Sequence, residues 1–159
     1  MAKIKTTCYL CGEVTKSENV PKNCPRCGAN LEDPQQEWVI KKVNCQYSTS
    51  GKIFNKIGSL YLTNKRLLCI NNSNAMLYGG GLVGALIASR QKWGFSLPLT
   101  DVQSFEDSKF GLFIKAFVIT TEDGDVYKLS AKPREEWKEA IMQAKEELIR
   151  SLQKEIEET

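Results

Sequence analysis

Not one histidine occurs among the 159 residues of the chain. That absence excludes the Ser-His-Asp and Cys-His catalytic arrangements, imidazole acid–base chemistry and every histidine-ligated metal. Long apolar runs are missing as well. The longest candidate, Leu82 to Ala88, is broken by Gly84 and falls short of the roughly 18 residues of a membrane span. The amino terminus, Met1-Ala2-Lys3-Ile4-Lys5, lacks the apolar segment of a secretory signal. Nor is there a strong excess of one charge. Twenty-two basic against 19 acidic residues leave +3, too mild to indicate nucleic acid or an anionic membrane by itself. No repeat, no low-complexity tract and no paired carboxylates in a catalytic context occur, so the chain is not expected to be an enzyme. With 42% apolar and 26% charged residues it reads as an ordinary globular protein, and a cytoplasmic location is the expectation.

What is present is cysteine, six in all. Cys8-Tyr9-Leu10-Cys11-Gly12 and Cys24-Pro25-Arg26-Cys27-Gly28 form two CxxCG knuckles, twelve residues apart. Two intervening residues let both thiolates of a tight turn reach one ion, at metal–sulfur distances of about 2.3 Å. The glycine after each second cysteine can take a positive φ and turn the chain away. Cys8, Cys11, Cys24 and Cys27 thus make a closed tetrahedral ligand set, structural rather than catalytic. Vicinal disulfides or a redox dithiol would explain one CxxC but are disfavoured by two, each followed by Gly. Residues 1 to 34 hold few large aliphatics and cannot bury enough surface to fold alone, so a metal staple has a clear role there. Lys22 and Arg26 are close enough in sequence to moderate the −2 charge of four thiolates around a divalent ion. The knuckles resemble those of zinc ribbons and rubredoxin-like sites. That resemblance implies one zinc ion, with iron as the alternative in the same ligand set. Cys45 and Cys69 fall inside β-type runs, apart from the knuckles and from each other, and read as small buried hydrophobes.

The run Leu31 to Gln36, with Pro34, reads as a polar linker. Beyond it come short β-type runs: Trp38–Tyr47, Gly58–Thr63, Arg66–Ile70, Trp93–Leu97, Val102–Glu106, Leu112–Thr120 and Val126–Leu129. Asn64-Lys65 marks a two-residue hairpin turn, and Glu122-Asp123-Gly124-Asp125 a tight turn with the strongest hairpin signal of the chain. Such spacing suggests an antiparallel sandwich or barrel. After Lys132, Pro133 is placed at the first position of a helix, and Glu135 and Glu136 complement its positive end. Trp137, Ala140, Ile141, Ala144, Leu148, Leu152 and Ile156 form one apolar stripe. A small barrel covers only part of so long a helix, so its final turns are expected to project or to meet a partner, self-association included.

Gly58-Ser59-Leu60-Tyr61-Leu62-Thr63-Asn64-Lys65-Arg66-Leu67-Leu68-Cys69-Ile70 resembles the signature hairpin of GRAM domains, which are PH-like. Leu97-Pro98-Leu99-Thr100-Asp101-Val102 and Phe117 to Tyr127 are similar to later elements of that family. The resemblance covers about residues 37 to 145. It implies a mostly β fold with a C-terminal α-helix: a small zinc ribbon (1–34), then a PH-like seven-stranded antiparallel barrel capped by a long helix (35–159). It also implies lipid or anion binding, for which Lys52, Lys56, Lys65 and Arg66 are the candidates. The segment Gly79 to Ala88 departs from the family pattern. It lacks the ending of a phosphate-binding loop, and its role stays open between a short packed helix and an exposed apolar loop.

These observations converge on a non-catalytic, zinc-binding adaptor whose PH-like part engages a protein or an anionic membrane surface, with peripheral membrane attachment compatible with the cytoplasmic location. Two alternatives belong to other classes. One is a nucleic-acid-binding ribbon, disfavoured by a ribbon charge of only +1 and a lone aromatic, Tyr9. The other is rubredoxin-like electron transfer.

Overall fold

The computed structural model describes residues 2–50, 55–71 and 94–159. Lys52, Trp93 and the Gly79–Ala88 segment lie outside the described residues. The first knuckle sits at the end of a small antiparallel ladder, β1 (Ile4–Thr7) with β2 (Val14–Ser17), paired from Ile4↔Ser17 to Thr7↔Val14. The main body is a seven-stranded antiparallel sheet. Its strands are β3 (Val39–Thr49), β4 (Lys56–Thr63), β5 (Arg66–Asn71), β6 (Phe95–Pro98), β7 (Val102–Phe110), β8 (Ile114–Thr121) and β9 (Val126–Leu129), in the order β6-β5-β4-β3-β9-β8-β7. One helix, α1 (Arg134–Glu157), closes the chain.

Strand β3 explains the shape. Its 11 residues are shared: Val39 to Tyr47 pair with β4, and Tyr47 to Thr49 pair with β9. A register shift between Val39 and Lys41 adds local twist. The expected closed barrel does not form, because β6 and β7 occupy the two free edges of the sheet. They are joined directly by a single 3-10 turn, Leu99–Asp101, and do not pair with each other. Helix α1 fills the opening instead. Trp137, Ile141 and Ala144 are buried with Leu99 and Val102, and the Lys145 ammonium donates to the Val102 carbonyl.

The turns follow local chemistry. Asn64-Lys65 does connect β4 to β5, although no residue other than glycine takes a positive φ among those described. Side chains substitute for the usual turn geometry: the Thr63 hydroxyl accepts from the N–H groups of Lys65 (3.1 Å) and Arg66 (3.0 Å). Asn64 Oδ1 accepts from the Trp38 N–H at 2.9 Å and fastens the turn to the start of β3. The β8–β9 turn uses Gly124 at φ +85°. One reading of the sequence is corrected: Leu112 and Phe113 are not strand residues. Strand β7 runs on to Phe110, Gly111 takes φ +58°, and Gly111-Leu112-Phe113 forms the tip of the β7–β8 hairpin. Pro133 likewise stands one position earlier than expected, as the extended cap residue whose carbonyl accepts from the Trp137 N–H.

Helix α1 has 24 residues and is about 36 Å long. Its stripe is buried at Trp137, Ile141 and Ala144, half-buried at Leu148, and exposed at Leu152 and Ile156. The sheet covers only the first half of the helix, as its length required.

Cys45 and Cys69 are not apart. Both belong to the main core, where the neighbouring Cys45 thiol, together with burial, pushes the Cys69 thiol up, and neither forms a disulfide. Gly58, between them on β4, makes the approach feasible: a Cβ there would stand 2.7 Å from Cys69 Sγ and 2.8 Å from the Ile70 carbonyl oxygen. Gly58→Val is therefore expected to lower stability by about 1–3 kcal/mol through overpacking. Denaturant unfolding of the purified variant measures it.

Candidate metal centre

The two knuckles are built alike. Gly12 (φ +75°) and Gly28 (φ +72°) turn back so that their N–H groups reach the carbonyls of Cys8 (3.0 Å) and Cys24 (2.8 Å). The N–H groups of Cys8 and Cys24 donate in turn to Glu13 and Ala29 carbonyls at 2.8 and 2.9 Å. These loops carry the four sulfurs of Cys8, Cys11, Cys24 and Cys27 to within 4.8 Å of one another. Cys8 and Cys27 are 3.6 Å apart, Cys11 and Cys24 3.7 Å. A tetrahedral ion with bonds of about 2.3 Å needs sulfurs about 3.8 Å apart. The cluster therefore fits a metal ion and could bind one; none of the six cysteines forms a disulfide.

Backbone dipoles also face the sulfurs. The Arg26 N–H approaches Cys24 Sγ at 3.4 Å, and N–H groups of Leu10 and Cys11 point at Cys8. Cys11 is held down to about 5, chiefly because the Cys27 thiol donates to it, while that same bond, with burial, pushes Cys27 up. Burial raises Cys8. The side chains of Lys22 and Arg26 have other partners: Arg26 pairs with Glu13 at 3.2 Å, tying one knuckle to the other, and Lys22 stands 4.0 Å from Glu32. Backbone N–H groups, rather than these cations, moderate the charge at sulfur.

The knuckles rest on the sheet. Cys8, Leu10, Cys24, Cys27 and Ala29 share a second hydrophobic cluster with Tyr61, Leu68 and Ile70. Tyr61 and Leu68 are direct cross-strand partners on β4 and β5. Leu60, Leu62, Leu67 and Cys69, alternating with them, face the main core. The β4–β5 hairpin is thus buried on both faces. Its unbroken apolar run Leu67-Leu68-Cys69-Ile70 carries the sequence signal for this, since one-sided strands alternate.

Among the described residues, the candidate anion-binding side chains do not gather into one group. Lys56 begins β4 and Lys65 lies beyond its far end, about 25 Å away along eight strand residues. Arg66 is engaged elsewhere: Nε and Nη2 contact Glu37 at 2.7 and 3.2 Å, and the Thr63 hydroxyl donates to the same carboxylate. Glu37 is buried, and this pair locks the linker to the hairpin. Sequence reasoning missed it, because Glu37 and Arg66 are separated by 28 residues and nothing local marks them as partners.

No family model matches the chain, and no curated protein matches it. Solved structures are similar in shape. The C-terminal domain of an unknown protein from Leishmania infantum is 18% identical, with 69% of this chain and 85% of that chain covered, at a TM-score of 0.47. The linker-DH/PH domains of p115-RhoGEF are 14% identical, covering 74% of this chain and 32% of that one, at 0.49. Vav1 is 15% identical, covering 69% and 26%, at 0.43. The chain thus spans about a third of the p115-RhoGEF chain. Its own topology is one open sheet of seven antiparallel strands with a closing helix.

Arg66→Ala leaves the Glu37 carboxylate buried without its cation. The expected cost is about 3 kcal/mol, read as a shift of the denaturation midpoint.

Proposed function

We propose that this chain is a non-catalytic, zinc-stapled binding module: a cysteine ribbon (residues 1–34) fixed to a GRAM/PH-like domain (residues 35–159) that engages a protein or an anionic membrane surface. The observation that supports it best is the closed set of four thiols seated on the outer face of the β4–β5 hairpin. Four protein sulfurs fill a tetrahedron and leave no open position for substrate or water, as in structural rather than catalytic sites. Bound metal holds two loops that have little core of their own and presses them on Tyr61, Leu68 and Ile70. Zinc suits this role because it brings no redox chemistry. No helix among the described residues is long and apolar enough to cross a membrane, so contact with a bilayer would be peripheral.

Elemental analysis with an absorption spectrum tests the metal assignment on untagged protein. One equivalent of zinc and no visible band is the expected result. Stoichiometric iron with a reversible redox titration would move the chain to electron transfer. Cys27→Ser is expected to release the metal and to lower stability by at least about 3 kcal/mol, because metal binding in such sites is folding energy. A variant that keeps both its zinc and its unfolding midpoint would remove the staple from this account. Acidification is expected to act in the same direction, since four thiols must lose protons to bind the ion and protonation competes as pH falls.

A further inference from the structure

The most exposed large apolar side chains among the described residues are neighbours: Leu112, 79% exposed, and Phe113, 89%. Single exposed hydrophobes are ordinary on protein surfaces. Two at the tip of a projecting hairpin, with nothing covering them, are not required by the fold. The turn closes through Gly111, and the flanking pair Phe110↔Ile114 already anchors the hairpin. Phe110 is buried beneath Lys128, whose ammonium lies 4.6 Å from the ring centre.

Directly behind the tip, Lys109 and Lys115 face each other across the two strands. Like charges so placed, about 5 Å apart at Cβ, disfavour the hairpin by themselves. Lys132 stands nearby, and with Lys115 and Phe113 it lines a cleft of about 690 Å³ between the hairpin and the start of α1. The carboxylates around this cleft are already taken. Asp107 holds Arg134 (3.1 Å) and Lys138 (2.8 Å), Glu135 holds the same two cations, and Glu136 holds Lys41. Glu106 belongs to the opposite face of β7, one position out of phase with Asp107 and Lys109. Among the described residues, Lys109, Lys115 and Lys132 have no ion-pair partner.

An apolar tip with an uncompensated cationic collar has a definite chemical complement. We infer that the β7–β8 hairpin is a membrane-contact element: Leu112 and Phe113 enter the headgroup region of an anionic bilayer, while Lys109, Lys115 and Lys132 meet lipid phosphates. A protein partner fits less well. A stable protein interface takes some 20 residues a side, whereas this convex tip offers two apolar residues and a few lysines. A bilayer needs no matched shape, and apolar burial adds to attraction by anionic lipid. The inference rests on the binding-module reading and names its surface.

Co-sedimentation of the full chain with phosphatidylcholine vesicles, with and without about one-third phosphatidylserine, tests it. The wild type is expected to sediment with the anionic vesicles only, and less so as salt rises. Leu112→Asp with Phe113→Asp is expected to weaken binding at least about tenfold. Lys109→Glu with Lys115→Glu is expected to abolish the preference for anionic lipid. All four side chains are exposed, so the variants should keep the circular dichroism spectrum and metal content of the wild type. A wild type that ignores anionic vesicles overturns the proposal, as does a tip variant that binds like the wild type. Metal content on the same samples reports the staple separately: failure at the membrane with one zinc per chain sinks this inference alone.

Discussion

The structure depends on one contact, the seating of the two cysteine knuckles against Tyr61, Leu68 and Ile70. It converts β4 and β5 from ordinary half-buried strands into strands covered on both sides. Everything near that hairpin is arranged for close fit. Gly58 leaves room for the Cys45 and Cys69 thiols, Thr63 closes the Asn64-Lys65 turn, and Glu37 with Arg66 clamps the linker. The knuckles in turn lack enough apolar residues to hold their own shape. Four sulfurs spaced for one ion on one side and an apolar sheet face on the other supply what they lack.

The rest of the sheet solves a different problem. A seven-stranded sheet whose edges do not pair must cover the gap, and α1 does so with Trp137, Ile141 and Ala144. Strand β3 carries the bend by pairing with β4 along most of its length and with β9 at its end. One consequence is that the β7–β8 hairpin, at the free edge, has no neighbour to shelter its tip. The knuckle face of the sheet is covered, and the β7 edge is open.

The features most legible in the sequence were those with local causes. CxxCG spacing places sulfurs through two-residue turns, and the glycines after them take the positive φ that the turns require. The stripe from Trp137 to Ile156 announced the helix, and its length announced that part of it would be left uncovered. Seven strands and their turns were readable from alternation and turn residues. Leu112 and Phe113 misled because apolar residues next to Ile114 read as strand; Gly111, at positive φ, was the signal that they belong to a turn. The run Leu67-Leu68-Cys69-Ile70 did signal burial on two faces, but nothing in it names the covering element.

Residue order alone marked the four cysteines that cluster, the sequence of strands and the closing helix, because each follows from contacts within a few residues. Pairings between distant residues were decided only in three dimensions. Whether the edges close, that Arg66 meets Glu37 rather than an anion, that Cys45 meets Cys69, and that the knuckles lie on β4 and β5 all depend on how β3 bends and where the linker returns. Those are packing choices made over the whole sheet, and no short stretch of sequence contains them.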